Sequence, residues 1–167
     1  MSVRIRPVTK EDRNWVRDFI REQWGDEIII VHGIIYQPHK LKGFVATDNN
    51  GFVVGLATYN ITNNECELVT LNSIHESEGI GSLLLKTVIN ENLRLGCSRL
   101  WCMTTNDNLP ALRFFQKRGF RIIAIHTGAV ERSRSLKPSL PLYGIDSILI
   151  LDEIELEFRL GQNGTNQ

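Results

Sequence analysis

The chain has 167 residues, enough for one domain whose core needs no disulfide or metal staple. Its 19 basic and 19 acidic side chains cancel, which leaves no basic field to recruit nucleic acid or an anionic membrane surface. At 42% hydrophobic and 23% charged, with no long apolar run, the composition is that of an ordinary globular domain and argues against a membrane span.

The start, MSVRIRPVTKEDR, is charged and lacks the apolar stretch of a signal peptide, so the expected location is cytoplasmic. Cys66, Cys97 and Cys102 form no CxxC pair and read as buried free thiols. His32, His39, His75 and His126 show no metal-ligand spacing, so no metal is expected.

Residues 3–8 (VRIRPV) alternate apolar and basic, as a half-buried strand does. Thr9, with Asp12 three residues on, starts a helix whose Trp15, Val16, Phe19, Ile20 and Trp24 recur at helical spacing. The irregular apolar segment DEIIIVHGIIYQPHKL, broken by Gly33 and Pro38, reads as a short helix and loop. Residues 43–47 and 52–60 are strand-like, and Asn50-Gly51 between them predicts a hairpin. Thr62-Asn63-Asn64 predicts a second turn into the strand ECELVTLNS. A helix follows from about 80 to 95, closed by Gly96; then come a strand at 98–103, a helix at 109–118 closed by Gly119, and a strand FRIIAIH. Residues 127–147 read as a long loop carrying Arg132, Arg134, Lys137 and Tyr143. The last strand, EIELEFRL, puts Ile154, Leu156, Phe158 and Leu160 on one face and Glu153, Glu155, Glu157 and Arg159 on the other.

Tight turns make the early strands antiparallel, whereas the strand-helix-strand unit 65–103 must cross to a parallel neighbour. The order implies an α/β domain: a mixed sheet with helices on both faces. Its functional point is the carboxyl end of the strand 65–73, where the two halves meet. Residues 1–160 are expected to form this single domain and 161–167 a frayed tail.

Directly after that strand stands HESEGIGSLLLK. Gly79 and Gly81 allow a sharp turn and close approach to the open N–H groups of the helix start, an anion site that needs no lysine. Glu76 and Glu78 are compatible with it if their carboxylates point to solvent.

The turn, the element order and NLPALRFFQKRGF resemble the GNAT superfamily of acyl-CoA-dependent acyltransferases. The family's Q/R-x-x-G-x-G/A loop is matched from Glu76 through Gly79 to Gly81. Its N-x-x-A-x-x-x-Y-x-K-x-G-F signature is matched by Asn108, Ala111, Phe115, Lys117, Gly119 and Phe120. The resemblance implies a mostly antiparallel sheet of about seven strands with a splayed parallel pair in the middle. It also implies acetyl-CoA as co-substrate, its pyrophosphate on the amides of Ser77, Glu78, Gly79, Ile80, Gly81 and Ser82. The pantetheine arm would run along Leu71, Asn72 and Ser73, and Asn108 would touch it. Glu67 matches the family's frequent general base, with Glu65 as runner-up; Phe115 replaces the tyrosine that protonates the departing thiolate. Tyr143, Tyr59 and His75 are substitute acids to weigh. Trp24, His32, Tyr36 and His39, with the basic loop, are where the amine acceptor, small molecule or protein, would bind. The alternatives are an acyl-CoA-binding module without turnover, or a homodimer joined through IIIVHGIIY.

Overall fold

The computed structural model describes residues 2–75 and 78–161. In chain order the elements are β1 (Arg4–Pro7), α1 (Arg13–Trp24), β2 (Ile29–Val31), β3 (Ile34–Tyr36), β4 (Lys42–Thr47), β5 (Val53–Thr62), β6 (Glu65–Ser73) and α2 (Ile80–Arg94). They continue with β7 (Arg99–Thr105), α3 (Leu109–Gln116), β8 (Arg121–His126), α4 (Ala129–Leu136) and β9 (Glu153–Arg159). Seven strands form one mixed sheet in the order β1-β4-β5-β6-β7-β9-β8, with β6 and β7 parallel and the rest antiparallel. The chain divides into two compact units, one of residues up to 29, 37–100 and 159 onward, the other of 30–36 and 101–158.

In the first unit the β4–β5 and β5–β6 hairpins form where the turn residues predict them. Asn63 and Asn64 adopt φ of 50° and 64°, and Gly51 adopts 84°, the left-handed geometry these residues tolerate. α2 lays Ile80, Leu84, Leu85 and Val88 on β4, β5 and β6. It comes so close to β5 that a Cβ on Gly55 would stand 2.8 Å from Ile80 Cγ2 and 2.9 Å from Leu84 Cδ1. Gly55→Val is therefore expected to push the start of α2 off the sheet and cost about 1–3 kcal/mol by overpacking. A thermal melt should show the loss of stability.

α1 begins through Asp12. Its buried carboxylate accepts hydrogen bonds from Arg6 (2.7 and 2.8 Å), the Thr9 N–H (2.7 Å), the Thr9 hydroxyl (3.1 Å) and the Trp15 indole (2.9 Å). A single 3-10 turn, Lys10–Asp12, precedes the α-helix, and Val16, Phe19 and Ile20 bury its inner face. The Arg6 guanidinium foremost, helped by Thr9 and Trp15 against the opposing effect of burial, holds the Asp12 carboxyl well below the usual carboxylate range. A depressed folded value means this stabilisation is complete above the unfolded value near pH 4 and is lost as pH falls through the folded one. Asp12→Ala is expected to cost about 3 kcal/mol, since it leaves buried donors and a guanidinium without their acceptor. Urea melts across acidic pH should show the stability difference between variant and parent shrinking as pH drops.

The second unit departs from the sequence expectations in two places. Residues 29–36 make a hairpin rather than a helix and loop: His32 (φ 42°) and Gly33 (φ 78°) form its two-residue left-handed turn between β2 and β3. Residues 129–136 of the expected loop are helical, and the segment beyond is held by Arg134, which donates to Pro141 O and Ile150 O (both 2.8 Å). β9 lies inside the sheet, flanked by β7 and β8, so its glutamate face is covered: Glu153 and Glu157 are buried along with Ile154 and Leu156.

Candidate active site

β6 is bent by one extra residue. Its pairing with β5 steps from Thr58↔Thr70 to Tyr59↔Leu68, which leaves Val69 as a bulge. The bulge reverses the alternation beyond it, so Glu67 and Thr70, three apart, share a face. The Thr58 and Thr70 hydroxyls meet at 2.6 Å on that face, fully buried. Gly55, Ala57 and Tyr59 face α2, and the register therefore turns Glu67, Thr70 and Asn72 to the opposite side of the sheet. α1 reaches that side, where the Trp24 indole donates to Asn72 Oδ1 at 3.2 Å.

Glu67 is 4% exposed, opposite Asn60 on β5. Glu65 shares its face as expected, but it stands at the hairpin end with Arg99 3.4 Å away. Leu71, Asn72 and Ser73 pair with Ala57, Leu56 and Gly55 along one edge.

The strand exit is pinned by Ile74 N–H to Val54 O (2.9 Å) and by the Ser73 hydroxyl to His75 O (2.8 Å). Glu76 and Ser77, the latter expected to supply an amide, lie outside the described residues. Glu78 is exposed. Gly79 takes φ 79° as the N-cap of α2; having no side chain, it cannot cap, and the first turn contains no acidic residue. Leu83 N–H, donating to Gly79 O at 3.0 Å, makes the first intrahelical bond, so the N–H groups of Ile80 and Gly81 precede the ladder. Buried Ile80 anchors this turn in the core.

In the second unit Asn108 is the N-cap of α3, its Oδ1 accepting from Ala111 N–H at 3.2 Å. Its amide NH2 keeps two donors of its own. Phe115 is buried in an aromatic cluster, 5.2 Å from Phe114 and 5.0 Å from Phe120, which in turn packs on Phe158.

Residues 10–120 match the acetyltransferase (GNAT) family. The chain belongs to that family. A relative, the uncharacterized protein YdhI of Bacillus subtilis (strain 168), is 37% identical over 150 residues, which are 90% of this chain and 94% of that one. Among solved structures, an IAA acetyltransferase from Bacillus cereus superposes with a TM-score of 0.71 at 22% identity, covering 95% of this chain and all of that one (100%). A GNAT family acetyltransferase from Elizabethkingia anophelis with acetyl-CoA bound gives 0.67 at 21% identity, covering 95% and 98%. These likenesses carry the fold: the mixed seven-stranded sheet is that of the GNAT acetyltransferases.

The other candidate side chains are placed as follows. Tyr59 faces α2, away from Glu67, stacked on Phe44 at 6.1 Å, and burial pushes its phenol up to about 12. It is no acid for a group on the Glu67 side. His75 and Tyr143 are exposed, the latter in a bridge with Leu149. His39 is buried, and burial lowers its pKa. Arg134 donates to the backbone of its own loop and to Glu131 (2.9 Å), and exposed Arg132 donates to Thr127 O (3.3 Å). The three cysteines are free and buried; burial pushes Cys66 up to about 12, which makes its thiol a poor nucleophile. Among the described residues no group of side chains has the geometry to hold a metal ion, and no helix is long and apolar enough to cross a membrane.

The bulge at Val69, the hydroxyl pair beneath it and the Trp24–Asn72 bond were not foreseen. The sequence offers no signal for the bulge, because every residue from Cys66 to Thr70 is buried whichever face it takes.

Proposed function

We propose that this chain moves an acetyl group from acetyl-CoA to an amino group of a small molecule or protein, as a cytoplasmic enzyme whose residues 1–160 act as one domain. The observation that carries the reading is the start of α2 at Gly79, an N-cap with φ 79° and no side chain, shortly after β6. A helix begun by a glycine in left-handed geometry offers main-chain donors and about half a positive charge to a diphosphate. The amides from Ser77 through Ser82 hold the diphosphate, Leu71, Asn72 and Ser73 bond the pantetheine amides strand-fashion, and the Asn108 amide NH2 donates to the arm.

Acetyl transfer then needs a neutral amine. Glu67 takes its proton, directly or through a water. The nitrogen lone pair attacks the thioester carbonyl carbon, whose oxygen is stabilised by a main-chain N–H near Leu71. The C–S bond breaks and the thiolate leaves, to be protonated by water, since Phe115 has no proton to give. Holding amine and thioester together supplies much of the acceleration. The buried Phe115 favours one second reading: an acyl-CoA-binding module that has lost turnover.

Calorimetry with acetyl-CoA, followed by a thiol-release assay over a panel of amines, tests both. Absence of binding at millimolar concentration would sink the first reading and the second alike. Binding without thiol release for any amine leaves the module.

A further inference from the structure

Asn108 does not start α3 in the usual way. An N-cap residue is ordinarily extended, but Asn108 stands at φ −83° and ψ 65°, an inverse γ-turn closed by Leu109 N–H donating to Asp107 O at 2.9 Å. The two residues before it hold that turn from outside the helix. Asn106 clasps the chain ahead of β9: its NH2 donates to Leu149 O (2.8 Å), and its Oδ1 accepts from the Leu151 and Asp152 N–H groups (2.9 and 3.1 Å). Asp107 is 4% exposed, and its carboxylate accepts from the Thr105 hydroxyl (2.5 Å) and the Ile145 N–H (3.0 Å).

Ile145 lies at the tip of a hairpin closed by Ile150 N–H to Leu142 O (2.8 Å) and Gly144 N–H to Ile148 O (2.9 Å). Next to it Asp146 and Ser147 take φ of 54° and 59°, a left-handed geometry that non-glycine residues keep only where their surroundings impose it. Gly144 stands so close to the Asp107 carboxylate that a Cβ there would overlap it. The hairpin tip and the start of α3 are thus built around one buried carboxylate, which no step of the transfer uses.

We propose that Asp107 is a positioning residue for the cofactor arm. By fastening the 142–150 hairpin to the start of α3, it holds Asn108 in the turn that leaves the amide NH2 for pantetheine while Oδ1 caps Ala111. The inference rests on the acetyl-CoA reading above. With the hairpin released, Asn108 relaxes to the ordinary extended cap, which keeps the Ala111 bond and swings the NH2 away. A donor held in place before the ligand arrives gives up less freedom on binding than one that must be ordered.

A double-mutant cycle with Asn108→Ser tests this, because serine caps a helix as well as asparagine does but is too short to reach the arm. Acetyl-CoA is titrated calorimetrically into the parent, each single variant and the double variant, and each is melted. Asn108→Ser and Asp107→Ala are each expected to weaken binding roughly fivefold. In the Asn108→Ser background Asp107→Ala should change affinity by less than about twofold, whereas its fall in melting temperature stays the same in both backgrounds. Asp107→Asn should restore affinity, since its amide can accept from Ile145 N–H and donate to the Thr105 hydroxyl oxygen. Gly144→Ala keeps every polar group and only crowds the carboxylate; it should repeat the Asp107→Ala pattern, and it carries the test if Asp107→Ala does not fold. A merely structural role for Asp107 predicts affinity losses that add across the cycle. Additive losses, or unaltered affinity in Asn108→Ser or in both hairpin-releasing variants, would overturn the proposal alone. A parent that does not bind acetyl-CoA at millimolar concentration would remove the acetyl-transfer reading and this inference with it.

Discussion

Gly81→Asp is expected to abolish acetyl-CoA binding while leaving the fold intact or slightly firmer. Gly81 is half-buried in the first turn of α2, after the N-cap Gly79 and ahead of the Leu83 N–H that opens the helical ladder. An aspartate there adds a Cβ where the diphosphate must approach and a carboxylate beside it. Two like charges about 4 Å apart repel by ~4 kcal/mol at an effective dielectric near 20, or roughly a thousandfold in Kd. The same carboxylate at a helix start favours the dipole by about 0.3–1 kcal/mol, so stability and binding move in opposite directions. Calorimetry and a thermal melt on one preparation check both. Retained affinity in Gly81→Asp would mean the diphosphate does not sit on this turn.

The parts of the fold legible in the sequence were those set by local chemistry. Asn63-Asn64 and Asn50-Gly51 name their turns because few residues tolerate positive φ, and the registers on either side follow. The turn at Gly79 was legible for the same reason, as a short-range geometric demand written in one or two residues; that Asn108 caps α3 was not read from the sequence. The misreadings lie where long-range packing decides. His32-Gly33 forms the same kind of turn as Asn-Gly, but histidine is a rarer occupant, and a run of isoleucines does not declare a strand by period. Glu153 and Glu157 alternate as a solvent-facing row would, and only the strand order, which places β9 inside the sheet, buries them. The bulge at Val69 had no local signature, yet it decides which side chains stand beside Glu67.

That placement sets the second large effect. Glu67→Gln is expected to lower kcat for amine acetylation at neutral pH by at least about a hundredfold, with the KM for acetyl-CoA little changed. An alkylamine with a pKa of about 10 is almost wholly protonated there, and glutamine can hold the substrate but cannot take its proton. The loss should shrink as pH rises toward the pKa of the amine, because more nucleophile then arrives already neutral. Glu65→Gln, at a residue engaged by Arg99 at the hairpin end, should leave the rate nearly unaltered. The contrast separates a proton acceptor from a general field effect, since both carboxylates share one strand, one face and one charge. Full-pH rate profiles of the two variants read it out. A Glu67→Gln enzyme whose kcat matches the parent at neutral pH would move the base elsewhere, to a water or to the amine's own equilibrium, and leave Glu67 as a buried partner within the sheet.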